Sequence, residues 1–189
     1  MKKKMFSKFR KVLREKKKLI AEYAFYLFVL VFILYLAPTF LMEKIVVDGT
    51  SMQQTLQDGD HVLIEKVSRY FEGPERFDII VFTKKVAKKE KVYIKRIIGM
   101  PGDKIQIVGD VIFINDQAIP ENYGSDSMLY AGIAAEPLVL AGDEYFVLGD
   151  HRSISADSRS ESVGVVKKSE IDGVVIGRIY PFSEFGKVD

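Results

Sequence analysis

From residue 43 onward the chain is a succession of short runs rich in β-branched and aromatic residues, separated by turn-forming clusters. Val46–Val47, His61–Glu65, Asp78–Thr83, Lys91–Ile98, Lys104–Val108, Val111–Asn115, Glu144–Leu148 and Gly173–Ile179 carry strand composition or a period-two alternation. Between them stand Asp58-Gly59-Asp60, Pro101-Gly102-Asp103, Gly109-Asp110, Asn115-Asp116 and Gly142-Asp143, residues that favour turns. Gly109-Asp110, flanked by Ile105–Val108 and Val111–Ile114, predicts a two-residue hairpin. Short helices are expected at Ser51–Leu56 and Lys168–Asp172. The segment from Pro120 to Pro137 has no period and reads as a long, mobile loop. Many short strands with little helix predict a mainly β fold of antiparallel sheets, barrel-like in places.

The first forty-two residues follow a different pattern. Tyr23–Met42 is a run of twenty residues without a charged side chain. As a helix it would span about 30 Å, the thickness of a bilayer's hydrocarbon core. It is apolar all round, unlike an amphipathic surface helix. Pro38 stands near its end, where a kink or stop is tolerated. The run is too long for the apolar part of a removable leader, and no small-x-small site follows it. An uncleaved transmembrane anchor is the expectation.

Charge adds a direction. Met1–Lys18 holds ten Lys or Arg and one acidic residue, Glu15, leaving eighteen basic against twenty-five acidic residues in the remainder. A basic tail beside an apolar span stays on the cytoplasmic side. The expected organisation is therefore a basic cytoplasmic tail over 1–18, an anchor over 19–42 and an extracytoplasmic domain over 43–189. A nucleic-acid partner is not expected, because the body is acidic. Cysteine is absent, which excludes disulfides, thiolate catalysis and cysteine-bound zinc. His61 and His151 stand far apart with no metal-ligand spacing, so no metal or cofactor is expected.

Reactive chemistry must then come from hydroxyl or carboxylate groups. Ser51 follows Asp48-Gly49-Thr50 after a strand and precedes a turn, where main-chain N–H groups could hold an oxyanion. The same position also suits an ordinary helix N-cap. Lys95 lies in Val92-Tyr93-Ile94-Lys95-Arg96-Ile97-Ile98, where alternation places Lys95 and Arg96 on opposite faces. Desolvation lowers a lysine's pKa until it can act as a neutral base, which arginine cannot do. Two surface charges on an edge strand remain the plain alternative. The block Gly149–Arg159 crowds three serines, two aspartates and two arginines behind a strand, the density of a buried polar network.

Together these blocks resemble the type I signal peptidases, membrane-bound Ser-Lys proteases, in their compact, Gram-positive-like form. Ser51-Met52-Gln53-Gln54-Thr55-Leu56 is similar to the nucleophile box, and Gly59–Ile64 to the box that follows. Tyr93–Asp103 is similar to the lysine box and Gly149–Arg159 to the last box. The resemblance implies two antiparallel sheet regions with an apolar surface near the membrane. It implies Ser51 as acylated nucleophile, Lys95 as general base, and Ser155 as the hydroxyl that orients Lys95. Arg96, Asp157 and Arg159 would form the supporting ion pairs, and the Ser51 N–H would serve the oxyanion. Some relatives add a hydroxyl where this chain has Gly49. Val47, Met52, Leu56 and Ile94 are the expected walls of pockets for small residues before the cut.

The implied function is removal of signal peptides from exported preproteins at the outer face of the cytoplasmic membrane, with preproteins and lipid as partners. Two positions depart from the family pattern: Gln54 replaces proline and His151 replaces asparagine. They raise an alternative, a narrowly specialised or non-catalytic relative with surface-assembly partners. Proline fixes φ at about −65°. Gln54 is therefore expected to loosen the Ser51 turn, and Gln54→Pro to raise turnover on generic peptides. A self-cleaving repressor-type Ser-Lys protease shares the dyad but has no such anchor.

Overall fold

The computed structural model describes residues 2–36, 41–71, 73–86, 89–124 and 126–188. Its contacts divide the chain into two units, Met1–Leu41 and Met42–Asp189. The first unit is one helix, α1 (Lys2–Val31), continued by a wider π-helical turn over Phe32–Leu36. Within it Arg14–Tyr35, 22 residues, contains an 18-residue window of mean hydropathy 1.8, long and apolar enough to cross a membrane. Pro38 lies outside the described residues. Met42, which ended the apolar run, instead begins the first strand.

The second unit is mostly antiparallel β-sheet. Seven strands form one sheet in the order β1 (Met42–Val46), β2 (His61–Glu65), β11 (Ile171–Tyr180), β3 (Ile79–Val86), β4 (Lys89–Gly99), β9 (Glu144–Leu148) and β10 (Val166–Lys167). Four more, β7 (Gln117–Ala118), β6 (Val111–Ile114), β5 (Lys104–Val108) and β8 (Leu138–Val139), form a smaller sheet. The predicted hairpin is present: Val108 pairs with Val111 across Gly109-Asp110, and Gly109 takes a positive φ of 60°. Two-residue strands such as β7, β8 and β10 are too short to show an alternation, and the sequence did not reveal them.

Alternation explains the outer strands but not the central ones. β2 buries Val62 and Ile64 and turns His61, Leu63 and Glu65 outward. By contrast, the first four residues of β3 and the last four of β9 are buried on both faces. β4 is covered on both sides from Tyr93 to Gly99, Ile94 alone being half-buried. Tyr93 and Ile97 pack with Phe82 and Val147 on one side, whereas Ile98 packs with Ile105 and Phe146 on the other. No choice between inward and outward is available to Lys95 and Arg96: both are inside.

Candidate active site

Ser51 sits in a chain of turns, not in the expected helix. Gln53 N–H donates to the Thr50 carbonyl and Leu56 N–H to that of Met52, but Gln54 adopts φ of 85° between them. A left-handed residue cannot continue a right-handed helix, so the segment stays a set of tight turns. Gly49, at φ 99°, leads into it, its N–H held by Asp58 Oδ1 at 2.8 Å. The Gln54 conformation overturns the proline argument. Proline's φ of about −65° is incompatible with this turn, so Gln54→Pro would disrupt it. The expected Lys168–Asp172 helix is a single 3-10 turn, Lys168–Glu170.

Lys95 meets Ser51 across the domain. Lys95 Nζ lies 2.6 Å from Ser51 Oγ and 2.9 Å from the Ile94 carbonyl oxygen. The lysine is 3% exposed. Burial pushes its pKa down from the ordinary 10.5 to about 8, because a desolvated ammonium is disfavoured. The charge of Asp157 opposes the fall, Lys91 adds to it, and Asp150 again opposes it. Lys91 and Lys95 both approach the Tyr93 ring, at 5.0 and 5.8 Å from its centroid. Ser155 is buried at the site, and its Oγ takes no hydrogen bond, from Lys95 or any other described group. Gly149 makes room for it: a Cβ there would meet Ser155 Oγ at 2.1 Å and the Ser51 carbonyl oxygen at 2.5 Å.

The arginines pair with different carboxylates. Arg96 donates from Nε and Nη2 to both carboxylate oxygens of Asp150, at 3.0 and 2.8 Å. Its Nη1 reaches the Phe77 carbonyl at 2.9 Å, and the guanidinium stacks 3.8 Å from the Tyr123 centroid. Asp157 instead folds onto Arg159, with contacts of 2.8 Å from both Nε and Nη2, and accepts the Gly149 N–H. The expected grouping of Arg96 with Asp157 is therefore corrected: β4 turns Arg96 to the face opposite Lys95, where Asp150 stands. A third buried arginine, Arg152, makes two contacts of 2.6 and 2.7 Å to Glu121. Asp126 accepts the Arg152 and Ser153 N–H groups, so the stretch expected to be a mobile loop is pinned at both residues.

A cleft of about 530 Å3 opens beside Ser51 and Lys95. Its walls are Ile45–Met52 on one side, Glu90–Lys95 on the other, and Ile154 with Ala156 at the end of the last loop. Since β1 and β4 stand four places apart in the strand order, the sheet must curl to bring them together. β1 pairs with β2 alone, and β4 meets β9 only from Arg96 onward, so both strands present a free edge to the cleft. Val47, Met52 and Ile94 line it. Leu56 does not; it is fully buried in the cluster of Met52, Val62 and Ile64. Ile154 and Ala156 were missed by sequence reading, although their block had been marked. Near the Val46 end, exposed apolar side chains gather: Val46 pairs with His61 and His61 with Tyr180, followed by Phe182 and Phe185.

Comparison with known proteins places the sequence in one family. The family described as signal peptidase, peptidase S26, matches residues 20–180. The signal peptidase I of Bacillus licheniformis is 34% identical over 183 residues, covering 92% of this chain and 96% of that one. The signal peptidase IB of Staphylococcus aureus strain COL is 31% identical over 184 residues, covering 89% and 94%. A crystal structure of a signal peptidase I from Enterococcus faecalis V583 is 30% identical, with a TM-score of 0.43, covering 53% of this chain and 95% of that one. The match extends over most of the length of the curated relatives, and the chain belongs to the signal peptidase family, peptidase S26, and is by that membership a peptidase.

Proposed function

We propose that this chain is a single-pass membrane serine endopeptidase that removes N-terminal signal peptides from exported preproteins. Its reactive pair is Ser51 and Lys95. The observation that carries the reading is the 2.6 Å approach of Lys95 Nζ to Ser51 Oγ, made by a lysine buried enough to lose its proton near pH 8. The preprotein lies extended between the free edges of β1 and β4, main chain to main chain. Val47, Met52 and Ile94 then face its side chains, and shallow apolar walls favour small residues.

Neutral Lys95 takes the hydroxyl proton as Ser51 Oγ attacks the scissile carbonyl. The Ser51 main-chain N–H holds the resulting oxyanion; Gly49 brings no hydroxyl to assist. The lysine ammonium gives its proton to the departing amine, and the neutral amine left behind accepts a proton from the water that releases the acyl group. Ser155, a buried hydroxyl with no other commitment, is free to turn toward Lys95 and fix its rotamer. Arg96, Asp157 and Arg159 support the site through their pairs.

α1 is the anchor, with residues 1–18 cytoplasmic and residues 43–189 outside. The aromatic cluster of Tyr180, Phe182 and Phe185, exposed by 49%, 81% and 67%, gives the domain an apolar surface suited to a lipid interface. The test is cleavage of a membrane-inserted preprotein by the purified full chain and by Ser51→Ala. Cleavage after a small residue that vanishes in Ser51→Ala is expected; equal cleavage by both would refute the reading. The second reading, narrower use in assembly of surface structures, turns on Gln54 and His151, the two departures from the family pattern, which line the same polar pocket. A panel of preproteins decides this, since a specialised enzyme cuts few of them.

A further inference from the structure

His151 grips the Ser51 turn twice. Its main-chain N–H donates to the Ser51 carbonyl oxygen at 3.1 Å. Its ring reaches the preceding residue, with Nδ1 at 3.3 Å from the Thr50 carbonyl oxygen. The other ring nitrogen, Nε2, faces Asp126, 3.7 Å from its Oδ2, an ion pair whenever the ring is protonated. The Thr50 carbonyl can only accept, so in this contact the ring carries a proton on Nδ1 and donates it. The loop presenting the ring is held firmly, because Asp126 accepts the N–H groups of the next two residues, Arg152 and Ser153, at 2.7 and 2.8 Å.

The Thr50 carbonyl belongs to the same planar peptide unit as the Ser51 N–H, pointing the opposite way. Whatever fixes that oxygen fixes the direction of that N–H. Gln53 N–H also donates to the Thr50 oxygen, at 3.0 Å, but from within the turn itself. His151 supplies the anchor from outside it. Drawing electron density onto the Thr50 oxygen also makes the linked N–H a better donor.

We propose that His151 is a positioning residue that orients the Thr50–Ser51 peptide so that its N–H is aimed at the developing oxyanion. This role presupposes Ser51 as nucleophile and the proposed peptide cleavage. A group acting on the oxyanion donor strengthens binding mainly in the transition state, so its loss lowers kcat and leaves KM nearly unchanged.

The test compares His151→Asn with His151→Leu in the full chain, in detergent, on one preprotein peptide. The two side chains are nearly isosteric, and asparagine alone keeps a donor. His151→Leu is expected to lower kcat by about threefold to tenfold, the worth of one net hydrogen bond, with KM within about twofold. His151→Asn should stay within about twofold of wild-type kcat. Equal kcat in both variants, or a change carried by KM, would overturn the proposal. If His151→Leu fails to unfold cooperatively on heating, His151→Ala takes its place with the same expectations. Ser51→Ala measured alongside separates the two ideas: activity surviving that change sinks the cleavage reading itself, whereas normal kcat in His151→Leu sinks only the positioning role.

Discussion

Lys95 and Arg96 are neighbours on β4, equally buried, and chemically opposite. Arg96 has a carboxylate fitted to it, two hydrogen bonds to Asp150, a carbonyl at Phe77 and an aromatic face at Tyr123. Lys95 has a hydroxyl and a carbonyl, with no carboxylate in contact among the described residues. A buried charge with a matched partner stays charged, while a buried charge without one tends to neutralise. The strand therefore carries a fixed cation on one face and a group poised to lose its proton on the other. The difference lies in the partners and in the greater intrinsic basicity of the guanidinium, since burial is shared.

Exchanging the two chemistries should break the comparison most severely. Lys95→Met and Lys95→Arg are each expected to reduce preprotein cleavage by about 10^3-fold, because methionine holds no proton and arginine will not release one. Initial rates on a peptide substrate check this. Retention of wild-type rate by Lys95→Arg would mean that some other base is used.

On the opposite face the effect should appear in folding. Arg96→Met leaves the fully buried Asp150 carboxyl without its arginine, with Thr55 Oγ1 as its remaining close side-chain donor at 2.5 Å. A loss of about 3–5 kcal/mol is expected, read as a shift in denaturant midpoint. Arg96→Met with Asp150→Leu should recover much of it, because no orphan charge remains. A double variant as unstable as the single would show that packing against Tyr123, and not charge, sets the cost.

Lys95→Met should instead stabilise the domain at neutral pH. In the folded state the lysine pKa is about 8, below the ordinary 10.5 that applies when unfolded. Between these values the unfolded chain binds more protons, so wild-type stability rises with pH across that window. Below about pH 8 the wild type bears the full cost of a desolvated ammonium, ~3 kcal/mol from the size of the shift. The variant should exceed it by that order at pH 7, and the gap should close as pH rises to about 10.5. Unfolding curves at pH 7 and pH 10 decide it; a constant gap would mean that Lys95 is not depressed.

Much of this comparison was legible beforehand, and its limits have physical reasons. The alternation around Lys95 and Arg96 put one cation inside if one face of the strand was buried, but central strands lose the one-sided rule, and the structure buries both. Glu121 could not have been named as the partner of Arg152, since no local spacing links residues 31 apart. Asp150 could have been named as the partner of Arg96, because it lies in the same block as Asp157. Leu56 was read as a pocket wall from its distance to Ser51 along the chain, yet turns after Ser51 drive it into the core. The hairpin at Gly109-Asp110 needed no tertiary context and came out as expected.

Backbone strain separates the two faces as well, and Gln54 is where it concentrates. Arg96 is held by regular strand geometry, whereas Ser51 reaches Lys95 from a turn whose fourth residue has φ of 85°. A side chain in the left-handed region costs roughly 1–2 kcal/mol, and glycine avoids that cost. Glycine also loses more backbone freedom on folding, roughly 0.5–1 kcal/mol, which offsets part of the gain. Gln54→Gly should therefore raise stability by a few tenths to about 1 kcal/mol, with the 2.6 Å Ser51–Lys95 approach retained. Gln54→Pro should do the reverse, lowering both stability and kcat, because its ring cannot take positive φ. Thermal unfolding of the three proteins and their rates on one peptide check the sign. A Gln54→Pro enzyme that is stable and faster would show that the working turn has negative φ at this position, and that glutamine relaxes into it when substrate binds.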